Sequence, residues 1–324
     1  MESRHPLVLG FFLLPGPNSS RPTSFISVSS EGTDLQEGRW GNLDETLSFL
    51  DHQTVIVAGS SKGFLLCVAN REDNMTYIIC NPVTRVFCIL PKPHKPYRHV
   101  AIAFICKGDH ISLDGWKNHY EIVRAGVPNP NGLFTTFEIE TFSSTSGEWT
   151  ESTLNSASPI SLVTANRPAF VMGDVIYWHT TYSTLVAYDR TRDSVEVIEF
   201  PVNDLLQRLV CWSNRLSVSE GKIHYCMHNG LNIKVWMLAD IQRREWILKH
   251  KVSFGKMFQK NPRVVCSPVV ISVQCLHPQN SKLLLLLLHQ VPYWYNLKNK
   301  KLSIICNSMG SRCLPYEWPS DLFA

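Results

Sequence analysis

The stretch Cys80-Asn81-Pro82-Val83-Thr84-Arg85-Val86-Phe87 puts an apolar residue before a small polar one, then a turn-like tetrapeptide, then an apolar pair. The same frame returns four times. Its polar anchor recurs as Ser143, Asp189, Asp240 and Asn296, at separations of 62, 46, 51 and 56 residues. Just before the five anchors stand Cys80, Phe142, Tyr188, Ala239 and Tyr295. Six residues after them stand Phe87, Trp149, Val195, Trp246 and Leu302. Asn, Asp and Ser side chains hydrogen-bond the backbone two residues on and so close turns. Each frame therefore reads as two strands joined by a hairpin.

Three copies carry an upstream strand opened by glycine: Gly63, Gly173 and Gly221. Each unit then holds at least three strands in roughly 45–60 residues, close to the length of a four-stranded propeller blade. A β-sandwich is not expected to repeat its sequence in this way. The reading is an all-β propeller of about six blades. Five units are visible. The strands Leu7–Leu14 and Phe25–Val28 are expected to complete a sixth with the last strand, near Leu302–Cys306, which removes open sheet edges. Helical signals are confined to Asp44–Leu50 and Asn203–Arg208.

Composition agrees. The 324 residues are 44% hydrophobic and 18% charged, with 31 Lys and Arg against 27 Asp and Glu, a net charge of +4. That excludes a disordered polyelectrolyte and gives no argument for nucleic acid without a clustered patch. None of the ten Cys forms a CxxC pair, so zinc is not expected. Most sit in apolar runs, as in Phe64-Leu65-Leu66-Cys67, and read as free thiols in a reducing compartment. The apolar run Leu7–Leu14 follows Glu2 and Pro6 and lacks a cleavage site, so it is not read as a signal peptide. The sequons at Asn18 and Asn74 carry little weight against that. The six residues Leu283–Leu288 are too few to span a bilayer and fit a strand buried on both faces.

Several residue groups invite a chemical reading. His224 and His228 would share a metal on a helix, but on an alternating strand their rings lie about 13 Å apart. Glu138 and Glu140, about 6.6 Å apart along a strand, have a glycosidase-like separation. Their threonine neighbours make them read instead as the solvent face of an edge strand. No GxSxG, HExxH, GxGxxG or GK[ST] loop occurs. The basic clusters Arg243-Arg244, Lys249-His250-Lys251 and Lys298–Lys301 read as solvated turns. Tyr97, Trp116 and Trp212 fall outside the repeat positions and are the candidate partner-binding residues, because Tyr and Trp often anchor protein interfaces.

Ordered along the chain, Gly59–Cys67, Cys80–Pro91, Tyr120–Val123, Phe137–Trp149, Val175–Trp178, Val186–Asp189, Gly221–His224 and Trp246–His250 resemble the plant F-box protein family. The similarity is to its F-box-associated, kelch-like β-propeller region, related to the galactose-oxidase-like propellers. The resemblance implies the substrate-recognition part of an SCF-type ubiquitin ligase, a protein-interaction module and not an enzyme. It implies a target protein for ubiquitination as partner, residence in cytoplasm or nucleus, and no cofactor, metal, nucleic acid or membrane. In that family an upstream F-box binds a Skp1-like adaptor and so a cullin. Here only six residues precede Leu7, so those two partners are expected only if an F-box is supplied upstream. The expected layout is a residual segment 1–6, a propeller domain 7–310 and a C-terminal tail 311–324. The alternative function is a propeller-fold enzyme of glycosidase or copper-oxidase type.

Overall fold

The computed structural model describes residues 7–14, 23–27, 43–44, 46–50, 55–71, 74–107, 119–129, 131–163, 169–180, 184–201, 213–262, 270–307 and 309–318. Among these residues, five four-stranded antiparallel sheets follow one another, each a simple meander. The first holds β3 (Val55–Ser61), β4 (Phe64–Arg71), β5 (Asn74–Asn81) and β6 (Val86–Ile89). The second holds β7 (Val100–Lys107), β8 (His119–Gly126), β9 (Phe134–Ser143) and β10 (Glu148–Ile160). Next come β11 (Phe170–Met172), β12 (Val175–His179), β13 (Thr184–Asp189) and β14 (Ser194–Glu199). The fourth is β15 (Ser213–Ser219), β16 (Lys222–His228), β17 (Asn232–Asp240) and β18 (Glu245–Ser253). The fifth is β19 (Ile271–His277), β20 (Asn280–Leu288), β21 (Val291–Asn296) and β22 (Leu302–Ile304). A sixth, three-stranded sheet has the order β2 (Ser24–Ser27), β1 (Leu7–Leu14), β23 (Arg312–Trp318).

The N-terminal strands do pair with the chain's last strand, but that strand is Arg312–Trp318 and not the segment near Leu302–Cys306. Leu302–Ile304 is already taken as the fourth strand beside β21. The strand β23 lies past residue 310, inside the segment expected to be a tail.

The anchors explain the meanders. Each lies at the turn from third to fourth strand and folds its side chain over that turn. Asn81 Oδ1 accepts from the Val83 N–H at 2.9 Å. Ser143 Oγ accepts from Thr145 N at 3.3 Å, Asp189 Oδ1 from Thr191 N at 2.9 Å. Asp240 Oδ1 accepts from Arg243 N at 2.9 Å, and Asn296 Oδ1 from Lys298 N at 2.9 Å. Four residues after every anchor the backbone turns left-handed: Arg85 at φ 60°, Gly147 at 75°, Asp193 at 47°, Arg244 at 56° and Lys300 at 66°. Only Gly147 adopts this without a Cβ penalty. Gly63, Gly173 and Gly221, also at positive φ, sit in the tight turns that open second strands.

The chain forms two compact units. Residues 1–11, 27–198 and 314–324 make the first, and residues 12–26 and 199–313 the second. In the first, Leu66, Ile79, Ile102 and Ile122 pack in one core cluster and Ala103, Ile139, Ile176 and Val186 in another. In the second, Val235, Val273, Leu284 and Leu286 form the core. β20 lies inside its sheet with Leu284–Leu288 buried, as the apolar run predicted.

Helix is scarce. The Asp44–Leu50 signal gives one 3-10 turn, Ser48–Leu50. Asn203–Arg208 lies outside the described residues. An α-helix, α1 (Phe254–Lys260), forms where none was expected. Seven residues, one of them Gly255, are too few to hold a helix alone, but Phe254 and Met257 share a face and are buried. Among the described residues no helix is long and apolar enough to cross a membrane.

Candidate functional site

Of the three residues nominated as partner contacts, Trp116 and Trp212 lie outside the described residues. Tyr97 lies in the loop joining β6 to β7, half-buried. That loop is built over a buried ion pair. Arg124 on β8 faces Glu140 on β9 in register, with Nη1 to Oε2 at 3.2 Å. Both side chains are almost fully buried, at 2% and 1% exposure. Glu140 Oε1 also accepts the backbone N–H groups of His94 (2.7 Å) and Lys95 (3.0 Å). Arg124 Nη2 donates to the Lys95 carbonyl at 3.1 Å. A buried pair tolerates its desolvation only with such extra hydrogen bonds, and here they all tie down residues 94–95.

Aromatic rings enclose the guanidinium. Its carbon lies 5.5 Å from the Tyr77 ring centre, 5.3 Å from Tyr97 and 5.8 Å from Trp149, within cation–π range. Trp149 Nε1 donates to the Pro91 carbonyl at 2.9 Å, pinning the start of the same loop. The Tyr97 ring needs Gly126 beneath it. A Cβ at that position would meet ring carbon Cε1 at 2.7 Å. The Tyr97 hydroxyl donates to Glu138, and burial, then that carboxylate, push its pKa above the ordinary tyrosine value.

Between the loop and the β9–β10 face lies a recess of about 170 Å³, lined by Lys95, Tyr97, Glu138, Glu140, Glu151 and Thr153 among others. His94 Nδ1 sits 3.1 Å from Glu151 Oε1, and Lys95 Nζ 3.6 Å from Oε2. His94, Glu140 and Glu151 bring potential ligand atoms within 4.8 Å of one another. That set does not suit a metal, because Glu140 is already committed to Arg124 and two backbone amides.

The expectation that Glu138 and Glu140 share the solvent face of an edge strand is corrected here. β9 is flanked on both sides by β8 and β10. Glu138 is exposed, whereas Glu140 is buried at 0% exposure. The two carboxylates therefore do not work as a solvent-facing pair. Sequence reasoning missed Arg124. The available signal was a lone arginine inside the apolar run Ile122-Val123-Arg124-Ala125, which demands a buried anion.

The histidines on β16 are structural. His224 Nδ1 lies 3.0 Å from the Lys222 carbonyl and His228 Nε2 3.0 Å from the Ile271 carbonyl. Burial lowers the pKa of both. The described cysteines are free thiols. Even the Cys67 and Cys80 sulfurs are 3.8 Å apart, well beyond bonding distance. Burial pushes Cys275 up to about 12.

Meandering four-stranded sheets in series, with turns closed by an Asn, Asp or Ser side chain between third and fourth strands, define a β-propeller, whose six sheets are its blades. Residues 39–313 match the family model described as "F-box protein At3g26010-like, beta-propeller", and the chain belongs to that family. It is similar to the F-box protein At5g03970 of Arabidopsis thaliana, with 26% identity over 251 residues. That alignment covers 76% of this chain and 55% of the relative, so the chain spans about half the length of the curated protein it matches. The solved structure of U3-55K is similar at 12% identity and a TM-score of 0.40, over 81% of this chain and 82% of that one.

Proposed function

We propose that this propeller is the target-recognition part of a ubiquitin-ligase receptor of the F-box type, a protein-binding module that transfers no chemical group itself. Membership of an F-box protein propeller family carries the reading. On this view a Skp1-like adaptor and a cullin belong to the assembly through an F-box, and the protein works in cytoplasm or nucleus. The kelch-like and galactose-oxidase-like kinship of the domain belongs to the same proposal, as does a domain starting near residue 7.

The loop bearing Tyr97 is the proposed target contact, with Trp116 and Trp212 as further candidates. Its backbone is held at Pro91, His94 and Lys95 by buried partners. A rigid loop loses little entropy on binding, which favours a recognition role. The test is affinity purification of the tagged protein from plant cells with the proteasome inhibited. A target recovered together with a Skp1-like protein, and lost from the Tyr97→Ala variant, supports the proposal. A target recovered equally well by Tyr97→Ala removes the loop from it. A measured glycosidase or copper-oxidase turnover would replace it.

A further inference from the structure

From Trp246 to Tyr316 the chain has ten Lys and Arg and not one Asp or Glu. The rest of the sequence therefore holds 21 cations against 27 acids, so the net charge of +4 hides a basic stretch and an acidic remainder. Such asymmetry points to an acidic partner.

The fold gathers part of this charge on one face of the second unit. Lys249 and Lys251 are exposed on β18. Lys249 is the extra residue of a β-bulge, since His250 pairs with Val235 and Leu248 with Trp236. The helix α1 follows directly and exposes Lys256 and Lys260. Asn261 then fastens the helix end to the β21–β22 turn. Its Nδ2 donates to the Met257 carbonyl at 2.7 Å and the Lys300 carbonyl at 3.0 Å, and its Oδ1 accepts from Leu302 N at 2.9 Å. The turn cations thereby join those of β18. His250 reports the crowding: burial, then Lys300 and Lys249, lower its pKa. Among the described residues, none of Lys249, Lys251, Lys256 and Lys260 has an ion-pair partner.

Aliphatic side chains are exposed on β18 and β22 too. Ile247 is 43% exposed, Leu248 48% and Ile304 52%. The aromatic residue beside them, Trp246, has its indole N–H bonded to the Glu199 carbonyl and its ring against Phe200 and Tyr225. Those contacts hold the ring within the sheet, which disfavours it as a platform for stacking bases. β18 is an edge strand, hydrogen-bonded in its sheet only to β17. Lysines beside aliphatics on an open strand edge suit an extended peptide that alternates acidic and apolar residues.

We propose that the face formed by β18, α1 and the β21–β22 turn binds an acidic, partly apolar protein segment in extended form. It rests on the protein-binding reading above for the class of partner, and places a contact distinct from Tyr97.

The test is fluorescence anisotropy of the whole protein with a short labelled peptide of alternating Glu and Leu. Binding should weaken as salt rises from about 50 mM to about 300 mM. The Lys249→Glu/Lys251→Glu variant should lose roughly tenfold or more in affinity. Leu248→Ser should weaken it further without changing the salt dependence. The exposed Lys92→Glu variant should bind as the parent does, and circular dichroism melts of all variants should match. The proposal is overturned if the double charge reversal binds normally, or if a DNA strand of about twenty nucleotides displaces the peptide at equal charge concentration. A failure here leaves the receptor proposal intact, because that one is read through Tyr97 and target recovery.

Discussion

The sheets β7–β10 and β15–β18 are built on one plan and filled with opposite chemistry. In each, the residue six places past the anchor is a tryptophan whose indole N–H donates, at 2.9 Å, to a backbone carbonyl more than 40 residues upstream. Trp149 closes over a guanidinium, with the Arg124–Glu140 pair behind it. Trp246 closes over hydrocarbon, with Phe200 stacked on Tyr225 at 4.0 Å between ring centres. The repeat fixes the turn and the indole staple and leaves the space beneath to specialise. In the first sheet that space became a polar clamp on a loop. In the second it became an aromatic stack.

The largest expected effect breaks the clamp. Arg124→Ala leaves Glu140 buried and unpaired, so chemical denaturation should show a loss of about 3–5 kcal/mol. Arg124→Met with Glu140→Leu should recover most of it, while residues 94–95 lose their anchor. If the single and double variants lose the same stability, the polar clamp is no different in kind from the stack. Next, Phe200→Ala should cost about 3 kcal/mol, a cavity effect with no charged partner to rescue.

A smaller pair sharpens the comparison. Trp149→Phe and Trp246→Phe each give up one indole hydrogen bond, worth about 1 kcal/mol. A clear excess at Trp149 would measure its contact with the Arg124 cation. The mildest probe is acid. Burial lowers the pKa of His224, His228 and His277 below the ordinary 6.5. As pH falls below 6.5 the unfolded chain takes up those protons first, so stability is complete above that pH and declines beneath it. Melting temperatures at pH 7.5 and 5.5 should differ, and His228→Gln should shrink the difference.

The hairpin turns were legible because their chemistry is local: a small polar anchor that bonds the backbone nearby, and apolar positions on either side. All five anchors close their turns, four through the amide two residues on and Asp240 through the amide three residues on. The polar clamp was not legible in that way. Arg124 and Glu140 lie sixteen residues apart, and what unites them is the β8–β9 register. The threonine neighbours then assigned Glu140 to solvent together with Glu138. The helix α1 escaped for a related reason, since its stability comes from burying Phe254 and Met257 and not from propensity. The position of the closing strand was misjudged because Leu302–Ile304 and Arg312–Trp318 are both short segments near the end of the sequence, and only pairing decides between them.

That closing strand sets a clock on synthesis. β1 (Leu7–Leu14) is made long before its partner β23, which ends at residue 318. At 5–20 residues per second, about 15–60 s pass between the two leaving the ribosome. For that interval an apolar strand has an unfilled edge, and Ser311 cannot yet donate to the Leu14 carbonyl. Nascent chains of this protein should therefore depend on chaperones holding the first strand until the last arrives.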